Sequence, residues 1–193
     1  MINLTDFINI ENKKEDFING IKSLGVSAAT VFPAGEIKFD NMFRDMCKDN
    51  ICGRYGRNYK CPPLIGEPDD LKNEALSYES VVLIQTIYPL EDSYDFEGMA
   101  EGGTVHSENI NKTGEYIKEN ISFDKMLTLG AGGCGICPKC GIIDGNVPCR
   151  FPDKAIASVE GYCMNVAHMT NTHGLQYING ENTVSYVAVF LLK

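Results

Sequence analysis

Four cysteines in the second half of the chain have the type and spacing of ligands for a metal cluster. Two residues separate Cys134 from Cys137, and two more separate Cys137 from Cys140. Cys149 follows after eight further residues. A cubane of iron and sulfide needs four thiolates from a chain that wraps closely around it, and cysteines at two-residue intervals place three of them on one tight loop. This second cysteine group therefore predicts a [4Fe–4S] cluster.

A first cysteine group lies upstream and comprises Cys47, Cys52 and Cys61, while Cys163 stands alone after the second group. Two layouts are open. Cys163 completes a four-thiolate site with the first group, or it is a buried free thiol and the first group supplies three thiolates only. A three-thiolate cubane leaves one iron open to a substrate, a water or a non-cysteine ligand, whereas a fully ligated cubane serves electron transfer or structure.

Zinc is the alternative metal at both groups. Zinc sites favour paired cysteines that are well separated along the chain. A continuous run at two-residue intervals is more usual for iron–sulfur clusters. The spacing of the first group is less distinctive, but Cys61 is followed by two prolines, which resembles the cysteine–proline ending of cluster motifs. We therefore expect two [4Fe–4S] clusters, with zinc as the alternative.

All the arginines of the chain lie within four residues of a cysteine, while its other basic residues are lysines spread along the sequence. The arginines are Arg44, Arg54, Arg57 and Arg150. Arginine presents a planar fork of donors that suits anions better than a lysine ammonium does. The pattern indicates charge balance beside anionic clusters, or binding of a small anionic substrate by Arg54, Arg57 and Arg150. Coincidence among so few residues is the alternative.

The composition is ordinary for a globular protein with one hydrophobic core. The 193 residues are 44% hydrophobic and 22% charged, and the net charge is −9. An acidic chain argues against nucleic acid as a partner, and no apolar run reaches membrane-spanning length. The N-terminal residues show no signal peptide. We therefore expect a cytoplasmic protein without membrane partners, in which thiols bind metal and do not form disulfides.

Helices and strands are predicted to alternate along the chain. Helices are expected over residues 12–24, 41–47, 69–77, 104–121, 152–158 and 164–172. Strands are expected over residues 26–32, 36–40, 81–88, 125–129, 175–179 and 183–192, the last two as a hairpin. Residues 48–68 predict an ordered loop and residues 91–103 a surface loop. Residues 81–88 form a nearly continuous apolar run, which is typical of a central strand.

These elements predict a single α+β domain over residues 1–193. One mixed or antiparallel sheet would be packed by helices, and the two cysteine-rich loops would meet at one end of it. Strand 125–129 runs directly into a glycine-rich turn before Cys134, and such a turn lets backbone amides approach cluster sulfurs closely.

The cysteine motifs resemble those of a prokaryotic family of predicted metal-binding proteins of unknown function. The resemblance rests on Cys52-Gly-Arg-Tyr-Gly preceding Cys61-Pro-Pro, and on the second cysteine group with Pro-Cys149-Arg-Phe-Pro. It covers nearly the whole chain. The resemblance implies three cysteine ligands in the first motif and four in the second. It also implies a glycine at the position of Cys163, where this chain departs from the family.

Three functions compete on these observations. The first is a two-cluster iron–sulfur protein that transfers electrons or supports a redox partner enzyme. The second is an enzyme whose three-cysteine cluster keeps an open iron for a small anionic substrate. The third is a structural zinc or metal-handling protein. The sequence therefore predicts metal binding and leaves open whether the protein is an enzyme.

Overall fold

The fold is built on a five-stranded mixed sheet with helices on both faces, in a computed structural model that describes residues 2–3 and 11–193. Its helices are α1 (Glu11–Ser23), α2 (Met42–Lys48), α3 (Pro68–Leu76), α4 (Phe96–Asn120) and α5 (Val166–Thr172). Its strands are β1 (Ile2–Asn3), β2 (Ala28–Pro33), β3 (Ser80–Pro89), β4 (Ile121–Ser122), β5 (Met126–Gly130), β6 (Ala157–Ser158) and β7 (Thr183–Leu192). The predicted α+β class with a mixed sheet is confirmed.

The long strands β3 and β7 lie at the centre of the sheet, whose order is β2-β3-β7-β5-β6. They pair antiparallel along their whole length, from Ser80 opposite Leu192 to Pro89 opposite Thr183. The outer pair β5 and β6 is parallel. The central position of β3 follows from its apolar sequence, because a strand covered on both faces needs apolar side chains in both directions. Strands β1 and β4 form a separate parallel pair.

Successive residues of the central strands enter two different hydrophobic cores. Leu83 of β3 faces a core that includes Leu71 of α3 and Met169 of α5. Its neighbour Ile84 faces the opposite core, to which α1 contributes Phe17 and α4 contributes Ile117. This alternation is the two-residue period of a strand. The sheet is therefore the middle of three layers, and its ends are free to carry loops.

Helix α4 begins earlier than the sequence predicts, so the expected surface loop over residues 91–103 is wrong from Phe96 onward. The Asp95 side chain caps the helix by accepting a hydrogen bond from the backbone N–H of Gly98. Glycines at 102 and 103 lower helix propensity, but tertiary packing overrides that preference here. Among the residues that the structure describes, no helix is long and apolar enough to cross a membrane.

Three further predicted elements are absent from the described structure. The helix expected over 152–158 is replaced by turns and the short strand β6, where Leu129 of β5 pairs with Ala157. The strand expected over 175–179 does not form, because β7 finds both its partners in β3 and β5. Residues 36–40 contribute one bridge, between Phe39 and Met164, and no strand.

Candidate metal centre

The second cysteine group lies on a long excursion between two adjacent strands of the sheet. Strand β5 ends at Gly130, and the chain returns as β6 at Ala157. The backbone N–H of Val159 donates to the Gly130 carbonyl at 3.0 Å, which fixes the two ends of the excursion together. Gly132 takes a φ of +70°, a left-handed conformation that turns the chain away from β5 and that glycine adopts readily.

All four thiols of the second cysteine group line one cavity, which is open to solvent. Each of these cysteines is half-buried. Ile136 and Phe151 supply apolar wall, and Arg150 supplies positive charge. The structure thus brings together the residues that the sequence spacing grouped, although they stay free thiols in it.

Arg150 is exposed and links three parts of the cysteine loop. Its guanidinium pairs with the Asp144 carboxylate and donates to the Lys139 carbonyl at 3.2 Å. Lys139 itself lies 3.4 Å from Asp144, measured between Nζ and Oδ1. The hydrogen bond from Arg150, with that from Lys139, holds the pKa of the Asp144 carboxyl below its ordinary value. Asp144 raises the pKa of Arg150, and a hydrogen bond to Cys137 adds to the rise, so this arginine lies beside a thiol of the site.

The first cysteine group is carried by α2 and the irregular loop after it. Cys47 lies on α2, Cys52 is exposed and Cys61 is buried. Burial raises the pKa of the Cys47 thiol, and the neighbouring Cys52 adds to the rise. Burial and then Cys52 raise the pKa of Cys61 to about 11. The three thiols are therefore close enough to influence one another, and a bound metal would be needed to hold them as thiolates.

Cys163 lies close to this first group. Burial raises the pKa of its thiol, while the charges of Arg44 and Cys47 act on it in opposite directions. Cys163 has a φ of +59°, in the left-handed region that favours glycine. This conformation explains physically why a glycine suits this position, as the family resemblance implies.

Arg44 is a buried support of the first group. Its guanidinium donates to the Gly161 carbonyl at 3.1 Å and to the Gly66 carbonyl at 2.8 Å. These bonds tie α2 to the end of the cysteine loop and to the turn that precedes Cys163. Glu160 lies in the same turn, where burial raises the pKa of its carboxyl. Its charge acts on Cys47, so it is a carboxylate close to the first group.

The two cysteine groups meet, as the sequence predicts for their loops. A Cβ atom on Gly133 would lie 2.6 Å from the Cys61 sulfur and 2.8 Å from Cδ of Arg54, so only glycine fits there. Arg54 donates to the Cys134 carbonyl at 2.6 Å and to the Gly133 carbonyl at 3.2 Å. Asn58 donates to the same Cys134 carbonyl at 2.8 Å. The first loop therefore holds the backbone from which the second cysteine group begins.

The predicted anion-binding arginines have different positions. The Arg54 guanidinium donates to backbone carbonyls. Arg150 lies in the wall of the cavity of the four thiols. Arg57 is exposed, and no side-chain hydrogen bond or ion pair engages it among residues 11–193. Anion binding by these three residues stays a prediction.

Sequence reasoning missed Asn58 and one role of Gly133. Asn58 is buried between the two loops, and nothing in its sequence neighbours distinguishes it from a loop asparagine. Gly133 was expected to bring backbone amides close to a cluster, and in the structure it also makes room for Cys61. Of the histidines, His106 lies in the core, and His173 stacks on Phe32 with ring centroids 3.8 Å apart.

The donor set fits an iron–sulfur cluster. The residues described around the cavity of the four thiols include four cysteines, one arginine and one lysine, and no carboxylate. In residues 11–193, no three Cys, His, Asp or Glu side chains converge closely enough to hold a single metal ion. The four cysteines line one open cavity, and soft sulfur donors are the ligand type that iron–sulfur clusters require.

The family model described as "Predicted metal-binding protein (DUF2284)" matches residues 30–192. The chain belongs to this family. The predicted resemblance is confirmed, and metal binding is the property by which the family is described. No curated protein matches the chain.

Solved structures of epoxyqueuosine reductase match the chain at low similarity. The enzyme from Bacillus subtilis is 13% identical with a TM-score of 0.45, and the match covers 95% of this chain and 46% of the reductase. A selenomethionine-labelled epoxyqueuosine reductase is 12% identical, with a TM-score of 0.46 and coverage of 94% and 46%. The chain therefore spans about half the length of these reductases.

Nucleic acid was excluded as a partner in the sequence analysis, and that exclusion is wrong. A third structure shows epoxyqueuosine reductase with an epoxyqueuosine-modified tRNA stem loop, at 14% identity, a TM-score of 0.44 and coverage of 94% and 46%. The exclusion rested on the net charge of −9. Net charge is a sum over the whole chain, and a locally basic surface can coexist with an acidic total.

Proposed function

We propose that this protein holds two [4Fe–4S] clusters and transfers electrons in support of a redox partner. The second cysteine group would hold one cluster, and Cys47, Cys52 and Cys61 the other. The observation that supports the proposal is the shared cavity of the second group, since four cysteines that line one cavity supply the number and type of ligands of a cubane.

Bound clusters would supply one-electron chemistry at potentials set by charge, hydrogen bonding and exposure. The residues of the chain contribute those conditions. Arg150 places positive charge beside Cys137, and Arg44 places it beside Cys47 and Cys163. Positive charge stabilises thiolates and so favours metal binding over protonated thiols. Cys61 is buried and Cys52 exposed, so one side of the first group faces solvent.

The surface around both groups favours a protein partner. Ile51, beside Cys52, is 94% exposed, and Met42 and Met46 of α2 are exposed on the same segment. Ile136 and Phe151 are exposed at the cavity of the four thiols. Apolar side chains exposed around a redox site are typical of a docking surface, and electron-transfer complexes are small and transient.

Metal and sulfide analysis of anaerobically purified protein tests the proposal. Two cubanes require roughly eight iron and eight sulfide per chain, with the EPR signals of reduced clusters. Serine substitutions at Cys137 and Cys140 should remove about half of both elements and leave the signals of the other cluster. Colourless protein with stoichiometric zinc would contradict the proposal and support the structural zinc alternative.

An enzyme with an open iron is the second candidate, favoured by the conformation of Cys163. A residue at φ +59° occupies a place where glycine is the relaxed choice, so the thiol need not be a ligand. Cys163→Ala separates the two layouts. Unchanged iron, sulfide and EPR signals would leave the first group with three thiolates and an open iron, whereas loss of one cluster would make Cys163 the fourth thiolate.

A further inference from the structure

A second cavity adjoins the cavity of the four thiols. It is open to solvent and has a volume of about 160 Å³. Its wall is formed by β5, by α3, by the turn at Tyr162 and by the end of the first cysteine loop. Tyr59, Lys60 and Ala155 line both cavities. A molecule in the second cavity would therefore lie next to whatever the four thiols hold.

A lysine without an ion-pair partner in the described structure lies in the wall of this cavity. Lys60 lines it, and within residues 11–193 the Lys60 ammonium has no ion pair or side-chain hydrogen bond. The chain is acidic, with 26 carboxylate residues against 17 basic ones, so a lysine left without a carboxylate in a concave site is notable. An ammonium in such a position is suited to an anionic group of a ligand.

The wall of this cavity also contains a negatively charged hydrogen-bond acceptor, the carboxylate of Glu74. The Tyr162 hydroxyl donates to Oε2 of Glu74 at 2.8 Å, and both residues line the cavity. That bond holds the Glu74 carboxylate in place and leaves its second oxygen able to accept from a ligand. The Thr128 hydroxyl lines the cavity as well, without a hydrogen-bond partner in the described structure.

Apolar side chains form only part of the remaining wall. Ile65, Leu71 and Leu129 face the cavity from three different segments. An apolar cavity of about 150 Å³ holds a benzene ring in a protein core, so 160 Å³ accommodates a small organic molecule of roughly that size.

We infer that this cavity binds a small organic anion whose negative group pairs with Lys60, whose apolar body packs on Ile65 and Leu129, and whose far end donates a hydrogen bond to Glu74. The site goes beyond the proposed electron transfer and does not depend on which metal the thiols hold. It would place the small molecule within one side chain of the metal centre.

Isothermal titration calorimetry on anaerobically purified protein tests the site with three probes. 4-Hydroxybenzoate carries both the anion and the donor, benzoate lacks the donor, and phenol lacks the anion. We expect 4-hydroxybenzoate to bind more tightly than either of the others. Lys60→Met should weaken both carboxylates by roughly tenfold or more, because a charge-assisted hydrogen bond is lost. Glu74→Gln should weaken 4-hydroxybenzoate and spare benzoate.

Lys72→Met is the matched control. Lys72 lies on α3 near Glu74, with its ammonium over the ring of Phe39 at 5.8 Å and outside the cavity wall. It removes the same charge from the protein and should leave all three probes unaffected. Circular dichroism verifies that each variant is folded. The inference fails if no carboxylate binds the wild type at millimolar concentration, or if Lys60→Met and Lys72→Met weaken binding equally.

Discussion

At the scale of single residues, the backbone of Cys163 is the most informative feature near the metal centre. Its φ of +59° is one that only glycine adopts freely, and its side chain is buried. The carbonyl of Cys163 accepts a hydrogen bond from the backbone N–H of Asp40 at 2.7 Å, which helps to hold this conformation. The surrounding structure therefore imposes the conformation on a residue that does not prefer it.

Substitution of Cys163 should show this cost directly. Cys163→Gly and Cys163→Ala both remove the thiol, but only glycine relaxes the backbone. We expect the glycine variant to be more stable than the alanine variant by about 1 kcal/mol. Urea denaturation of the two metal-free variants measures the difference. Equal stabilities, or a more stable alanine variant, would show that the left-handed conformation carries no cost here.

His106 should make the stability of the fold depend on pH. Its side chain is 2% exposed, its Nδ1 lies 2.9 Å from Oγ1 of Thr86, and burial lowers its pKa from 6.5 to about 4. The folded protein thus prefers the neutral ring. The contribution is complete above about pH 6.5 and is lost as the pH falls to about 4, because the unfolded chain then binds a proton that the folded chain refuses.

The expected loss over that range is roughly 3 kcal/mol in the free energy of unfolding. Urea denaturation at pH 7 and pH 4 measures it. His106→Gln keeps a polar side chain that does not titrate, so its stability should fall less over the same range. Wild type and variant share every other titrating group, and parallel pH profiles would contradict the assignment to His106.

At the scale of elements, the packing of α4 on the sheet depends on one glycine. A Cβ atom on Gly102 would lie 2.8 Å from Cβ of Tyr88 and 3.1 Å from the Tyr186 ring. A Cβ atom on the next residue, Gly103, would meet nothing closer than 3.9 Å. Gly102 therefore permits a close approach of helix and sheet, whereas Gly103 only lowers the helix propensity.

Alanine substitutions of these neighbours should act in opposite directions. Gly102→Ala should destabilise the protein by about 1–3 kcal/mol, because the added methyl group overpacks the contact with Tyr88. Gly103→Ala should stabilise it by about 0.5–1 kcal/mol through its better helix propensity. Chemical denaturation of both variants against the wild type tests the pair. Similar effects of the two substitutions on stability would show that helix propensity, and not the close approach of helix and sheet, decides the effect at Gly102.

Sequence patterns predicted the helices and strands whose apolar residues recur with a regular period. They failed where contacts with distant residues determine the secondary structure. The apolar run of β3 and the stripe of α1 were found, because burial on a sheet or a helix face leaves a period in the sequence. The first turns of α4 were missed, since Gly102 reads locally as a loop residue and its packing partners are remote. Strand β6 was missed because a two-residue strand leaves no period to detect.

At the scale of the whole molecule, the fold brings two distant cysteine motifs into contact. The spacing of the cysteines predicted the membership of each group, and the second group does line one cavity. The contact between the groups runs through Arg54, Asn58 and Gly133. Arg54 had a sequence signal in its proximity to a cysteine, and Gly133 had one in the glycine-rich turn, whereas Asn58 had none. The structure shows Arg54 bonded to backbone carbonyls, and anion binding by this residue stays a prediction.

Arg54→Lys should loosen the second metal site although the charge is kept. Nη1 of Arg54 donates to both carbonyls, and the shorter, flexible lysine side chain does not hold its ammonium at that position. We therefore expect iron to leave for a chelator roughly tenfold faster. Arg57→Lys is the matched control, because Arg57 is exposed. Anaerobic iron release to a coloured chelator measures both rates. Equal rates of iron release from the two variants would show that Arg54 does not stabilise the site.

The second cysteine loop leaves the sheet at β5 and returns at β6, and both ends are held by backbone hydrogen bonds of the sheet. The cores that stabilise the protein lie between the sheet and its helices, away from this excursion. A zinc finger unfolds when its metal is removed, because the metal is its core. Here the apoprotein would keep its fold, and the metal centre could be emptied and refilled on a scaffold that persists without it.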